Sequence, residues 1–177
     1  MRLFLLMAVL VLRTGCKTPS ALDPQPSAPP VPARGDASDP IRQLELKVFT
    51  AANRQRQLHG LSQLAWSEPV AEQARLHSVN MMERGFFSHT DPVRGATAKR
   101  LNSAGIGWSR SGENIFRERG MDDPPNVAME GWMRSPAHRQ SLLDPQFTET
   151  GVGVAISPDT EYFITQVFIR PPAASRN

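Results

Sequence analysis

The sequence predicts a mixed α+β domain: a layered helix–sheet–helix sandwich around a small, mainly antiparallel central sheet. Three observations carry that expectation. Apolar residues recur at helical spacing through most of the region after Pro40. Near the C-terminus, Gly151 to Ile156 and Glu161 to Phe168 alternate as strands do, and Ser157-Pro158-Asp159 joins them as a hairpin turn. Helical and strand segments interleave, and the last two strands form a hairpin, which favours a layered mixed fold over a doubly wound parallel one.

Each element has a local reason. Residues 1–15 read as an export signal, with Arg2, an apolar core from Leu3 to Leu12 and no acidic residue. That core is short of the roughly 20 apolar residues that span a bilayer. Cys16, the only cysteine, directly follows the small residue Gly15. A lone cysteine there, after an apolar run, resembles a bacterial lipoprotein signal, with Arg13 at a place where such signals usually carry an aliphatic residue. The alternative is an ordinary secretory signal with an incidental thiol. Residues 16–40 are then expected to form an extended tether, or no more than a disordered leader: seven prolines between Lys17 and Pro40 disfavour helix and sheet. This arrangement points to an extracytoplasmic, membrane-anchored protein, or to a secreted or periplasmic one.

The folded domain is expected over 41–170, followed by a disordered tail at 171–177. Asp39-Pro40 supplies an N-cap and a first-turn proline. Ile41, Leu44, Val48, Phe49 and Ala52 mark a first helix that ends near His59-Gly60. A second helix runs from after Ser67 to Gly85, with Val70, Ala74, His77 and Met81 on its apolar face. A short third helix covers Thr97 to Ala104 and stops at Gly105. Ser111 to Phe116 is a strand. Asp123-Pro124 opens a fourth helix with Val127, Met129, Trp132 and Met133 as apolar positions. Ser135, preceding Pro136, ends that helix and caps a short fifth one to Leu143.

Charge excludes one function class. The formal net charge of +3 falls to +1 once Arg2 and Arg13 leave with the signal, and no basic run remains, so nucleic acid is not an expected partner. Of four histidines, His59 sits at an exposed turn, and His77 reads as a core histidine held by a hydrogen bond. His89 and His138 sit at helix ends among small polar residues, where a side chain can face a cleft. Glu113, between Gly112 and Asn114 at the edge of an apolar strand, needs a cation or hydrogen-bond donors if it is withdrawn from water. Two histidines and a glutamate match the ligand set of some catalytic zinc sites, but gaps of 24 and 25 residues match no compact motif. Bracing of loops explains the same residues equally well. Phe86 and Phe87 are expected to pack and fix His89, with Asp91-Pro92 as the following turn.

The chain also resembles the CAP superfamily of cysteine-rich secretory, antigen 5 and pathogenesis-related proteins, in its cysteine-poor bacterial branch. The stretches that carry this are Asn53-x-x-Arg56, Leu64-x-Trp66, Ala74-x-x-His77-Ser78, Phe87-Ser88-His89-Thr90-Asp91-Pro92, Gly112-Glu113-Asn114-Ile115, Trp132-x-x-Ser135-Pro136-x-His138-Arg139, Phe147-Thr148-Glu149-x-Gly151-Val152-Gly153-Val154 and Thr165-Gln166-Val167-Phe168. The resemblance implies an α-β-α sandwich with a cleft lined by two histidines and two acids that holds divalent metal in some members. His89, Glu113 and His138 match three of these, and Ser135 stands at the place of the second glutamate. The site expectation is therefore a cleft of His89, Glu113, His138 and Ser135, with His89, His138 and Glu113 as ligands for zinc or another divalent metal. The first functional expectation is a binding module for a small ligand, a lipid or an envelope protein, anchored to the membrane through Cys16. The alternatives are a zinc-dependent hydrolase of envelope peptide or peptidoglycan, with Glu113 as ligand or base, and a purely structural interaction domain.

Overall fold

The computed structural model describes residues 39–173. The expected signal, Cys16 and nearly all of the tether lie outside the described residues, as do the last four residues of the tail. Helices α1 (Pro40–Leu58), α2 (Glu68–Arg84), α3 (Thr97–Ser103), α4 (Pro124–Arg134) and α5 (Pro136–Leu142) surround one sheet of β1 (Ala65–Trp66), β2 (Arg110–Arg119), β3 (Glu149–Ile156) and β4 (Glu161–Arg170). The strand order is β1-β3-β4-β2. β3 pairs antiparallel with β4, and β4 with β2, while the short β1 runs parallel to β3. The sheet is mainly antiparallel, and β2 is one of its edges. No helix among the described residues is long and apolar enough to cross a membrane.

The helix ends follow the local chemistry. The Asp39 carboxylate accepts from the Ile41 N–H at 2.9 Å, ahead of a first-turn proline. Gly85 terminates α2 in the left-handed region at φ 68°, where a side chain would be strained. Ser135 does separate α4 from α5, but its side chain makes no cap hydrogen bond, so proline, not the hydroxyl, sets that corner. The buried face of α4 is Pro124, Pro125, Ala128, Met129 and Trp132, turned slightly from the expected one; Val127 and Met133 are only half-buried.

Alternation along the strands sends side chains to two layers. Val152, Val154, Ile164 and Phe168 face α1, α4 and α5, in a core with Val48, Phe49, Ala52, Trp66 and Trp132. Val167 and Ile169 pack with Val70, Ala74 and Leu101, and Ile115 and Phe163 pack with Met81, on the side of α2 and α3. The α2 backbone lies directly on β3. A Cβ at Gly151 would sit 2.1 Å from the Ala71 nitrogen, and one at Gly153 would sit 2.0 Å from that of Arg75. Only glycine permits that approach. Buried polar groups fix the loops: Asn53 exchanges hydrogen bonds with the Leu64 backbone at 3.0 and 2.8 Å. The Arg56 guanidinium donates to the carbonyls of Ser62, Leu142, Asp144 and Phe147.

Candidate functional site

β2 carries the site because it is the sheet edge that both helical layers reach. Along it, Glu113 and Ile115 face α2 and α3, while Asn114 faces α5. Two side-chain bonds seat the α4–α5 corner on this strand. Asn114 Nδ2 donates to the His138 carbonyl at 3.0 Å, and Trp132 Nε1 donates to that of Ile115, also at 3.0 Å. His138 therefore arrives at the edge from one layer. His89, on the loop between α2 and α3, arrives from the other. Their ring centroids are 6.4 Å apart.

The loop that carries His89 is built from its own polar residues. Asp91 is buried and accepts from the Val93 and Arg94 backbone N–H groups at 2.8 and 2.9 Å and from Asn80 Nδ2 at 2.7 Å. Burial pushes its carboxyl upward, but those donors outweigh it and hold it below its ordinary value. Phe86 packs near His77, with centroids 5.9 Å apart, whereas Phe87 is 46% exposed. The expected packing role thus holds for Phe86, which packs against the Met81 cluster, and fails for Phe87, whose side chain is left in solvent.

Glu113 is the centre of the cluster, and its side chain is almost wholly buried. The cation it requires is Arg100, itself buried, whose Nη2 makes a short ion pair with Glu113 Oε2. The other oxygen, Oε1, accepts from His89 Nδ1 at 3.0 Å. Tautomers follow from donor counting. Arg100 Nη1 lies 2.8 Å from His77 Nδ1, and a guanidinium can only donate, so this nitrogen accepts. The His77 Nε2–H then donates to the Ser88 carbonyl at 3.0 Å. Burial, which outweighs the opposing pull of the Glu113 carboxylate and is aided by the Arg100 charge, holds His77 below its ordinary value, consistent with this neutral form. His89 Nδ1–H donates to the Glu113 carboxylate, which leaves Nε2 outward on a side chain that is 52% exposed. Burial, and then the neighbouring His89, lower the pKa of His138.

The structure brings His89 and Glu113 into direct contact and puts His138 beside His89. Ser135 lies at the α4–α5 corner with its hydroxyl unbonded to either helix terminus. As they stand, these groups do not form a metal-ligand set. Both oxygens of Glu113 are already engaged, one by a guanidinium, and no group of three His, Cys, Asp or Glu side chains among the described residues is disposed to hold an ion. His59 is exposed, bonded to the Gln55 carbonyl and to Arg139, away from the cluster. The residue that sequence reasoning missed is Arg100. Its only advance signal was the requirement that a buried Glu113 find a cation. A separate groove of roughly 800 Å³ between α1 and α4, lined by Leu46, Thr50, Leu58, Met129 and Met133 among others, includes none of these residues.

Comparison with known proteins places the chain in a family. The model of the cysteine-rich secretory protein family (CAP) matches residues 49–168. The chain is 38% identical over 126 residues to an uncharacterized membrane protein of Bacillus subtilis, YlbC, covering 71% of this chain and 34% of that protein. It is 35% identical over 130 residues to the uncharacterized YkwD of the same organism, covering 72% of this chain and 49% of that one. The chain thus spans between a third and a half of these relatives. Among solved structures, an extracellular protein containing an SCP domain from Bacillus anthracis matches at TM-score 0.63 and 34% identity, over 78% of this chain and 45% of that one. An outer surface protein of Borrelia burgdorferi shares the fold at TM-score 0.67 and 14% identity, over 74% of this chain and 95% of that one. With the family match spanning most of the described residues, and the expected α-β-α sandwich in place, the chain is a bacterial-type member of the cysteine-rich secretory protein (CAP) family.

Proposed function

We propose that the protein is an extracytoplasmic binding module of the cell envelope, held by a lipidated Cys16, whose working surface is the β2 edge between His89 and His138. One observation carries the reading. Two imidazoles from opposite helical layers meet at an open edge, and one of them is fixed by a buried carboxylate so that its outer nitrogen is presented to solvent. An imidazole so held exchanges a hydrogen bond through its outer nitrogen, and its neighbour can offer another, so the fitting ligand is a polar, uncharged or anionic envelope component. The location is supported by relatives described as an extracellular protein and a membrane protein.

The test follows the Cε1–H NMR signals of His89 and His138 while muramyl-peptide fragments, or vesicles of anionic phospholipid, are added to the domain. Movement of both signals with one ligand, weakened by His138→Ala, is the expected result. No response to either class would end the reading. Incorporation of a labelled fatty acid that disappears in Cys16→Ser tests the anchor separately.

A second reading, hydrolysis of an envelope peptide or glycan, is favoured by the Glu113–His89 pair alone, since a carboxylate on Nδ1 is how a general base is oriented. Among the described residues no hydroxyl is hydrogen-bonded to His89 as a nucleophile would be, so water would have to be the attacking group. Release of peptide or glycan fragments by the wild type, lost in His89→Gln, would support it.

A further inference from the structure

We infer that Arg100 is the resident cation of this cleft and the residue that sets its ligand class. It occupies the electrostatic role a divalent metal would fill at Glu113, and so it bars such ions while leaving the two histidines to hydrogen-bonding ligands. The inference deepens the binding reading above and rests on the same cluster.

The geometry supports it from three sides. Arg100 is 2% exposed, so its charge cannot be relieved by swinging into solvent. It is held at both ends of its fork: Nη2 to Glu113 Oε2 and to Thr97 Oγ1 at 3.1 Å, Nη1 to His77 Nδ1 at 2.8 Å. His77 is in turn tied to the Ser88 backbone, one residue before His89. An ion approaching Glu113 would meet a fixed positive charge at hydrogen-bonding distance from its own intended ligand. It would also have to displace the His89 Nδ1 proton from Oε1. Coordination by Glu113 therefore requires breaking the Arg100 pair and leaving a buried guanidinium without its counter-charge, the costly outcome for any buried pair. With Arg100 in place the carboxylate and the guanidinium cancel, and the cleft offers imidazole nitrogens without a strong net charge. A neutral or anionic polar ligand suits that surface; a cation does not.

The prediction is an inversion of specificity by one residue. Zinc is titrated calorimetrically into the wild type, Arg100→Met and Arg100→Lys. The neutral variant, with Glu113 released beside His89 and His138, should bind zinc at least about tenfold more tightly than the wild type. The lysine variant, which keeps the charge, should not, and adding His89→Ala to Arg100→Met should abolish the gain. An Arg100→Met protein that folds and gains nothing would overturn the inference. Because that variant removes a buried charge partner and can fail to fold, the wild type supplies an independent test. On adding zinc to millimolar concentration, the Arg100 guanidinium NMR signals should stay fixed even if weak binding moves the exposed histidine signals. Displacement of the guanidinium signals would overturn the inference without any variant. These measurements use zinc alone, so failure to find an envelope ligand for the cleft leaves their outcome unaffected.

Discussion

Two buried arginines in this domain look alike in the sequence and do opposite things. Arg56 on α1 and Arg100 on α3 are each almost inaccessible to solvent. Arg56 donates to four neutral backbone carbonyls, from Ser62, Leu142, Asp144 and Phe147, and rivets the end of α1 to the loops before β1 and β3. Arg100 donates to a carboxylate and an imidazole that themselves hold an exposed histidine. The difference lies in the partners. Carbonyls use an arginine as a geometric fork, for which charge is incidental; a carboxylate uses it as a charge, and what remains facing outward becomes chemically selective. Scaffold and site can thus be separated by asking what each guanidinium satisfies.

The largest effect should come from the scaffold arginine. Arg56→Met would strand four carbonyls, three in loops and that of Leu142 at the end of α5, at about 1 kcal/mol each, allowing some to reach water, for a loss of about 3–4 kcal/mol in urea-induced unfolding. The loss should persist across neutral pH, because the carbonyls do not titrate and the Arg56 charge meets only the Asp144 carboxylate besides them. A loss below about 1 kcal/mol would mean that these loops are held by their own turns, and the distinction between the two arginines would weaken.

A smaller, pH-dependent effect should come from the other region. The folded state holds His77 below its ordinary value of 6.5 because the ring is buried, while the unfolded chain accepts a proton at about that value. The unfolded state therefore binds more protons as the pH falls below 6.5. The stability associated with neutral His77 is present above that pH and is lost toward the lower folded value. The slope is at most about 1.4 kcal/mol per pH unit for one histidine. Denaturation midpoints between pH 7 and 5 should show this loss in the wild type and a reduced one in His77→Gln. An unchanged slope in the variant would shift the acid sensitivity to His138, whose value is also lowered but whose ring is more exposed.

Much of this was legible in the sequence because its signals are local. Asp39-Pro40, Gly85 and Gly105 bound their helices as capping chemistry requires, and both glycines take positive φ. The Gly151 to Ile156 and Glu161 to Phe168 alternation became the β3–β4 hairpin, each strand extended by two residues. What could not be read depends on distant packing. β1 has two residues, too few for any period, and exists only because β3 supplies the neighbouring backbone. Phe87 has the same side chain as its neighbour Phe86, but only Phe86 packs on the core and Phe87 is left in solvent. Arg100 follows Lys99 on a short helix and resembles a solvated position. Its burial is set by β2, and its partner Glu113 lies 13 residues away with no intervening pattern. The need of Glu113 for a cation was readable from its surroundings; the identity of the cation was not.

The smallest predicted effect on stability is the one that most sharply divides the site from the scaffold. The His138 backbone carbonyl anchors α5 through Asn114, but its ring has no hydrogen bond to another described residue and faces His89 across 6.4 Å. His138→Ala keeps the carbonyl and the anchor, so its effect on unfolding free energy should stay within about 0.5 kcal/mol, as for other surface changes. His89→Ala should cost more, about 1 kcal/mol, because Glu113 Oε1 then loses its donor. If the rings serve a ligand, the two variants should differ in stability yet weaken binding alike, which separates a binding surface from a brace. If His138→Ala instead destabilised the domain as much as His89→Ala, the ring would be holding loops, and β2 would be an edge sealed by its histidines and not one that offers them.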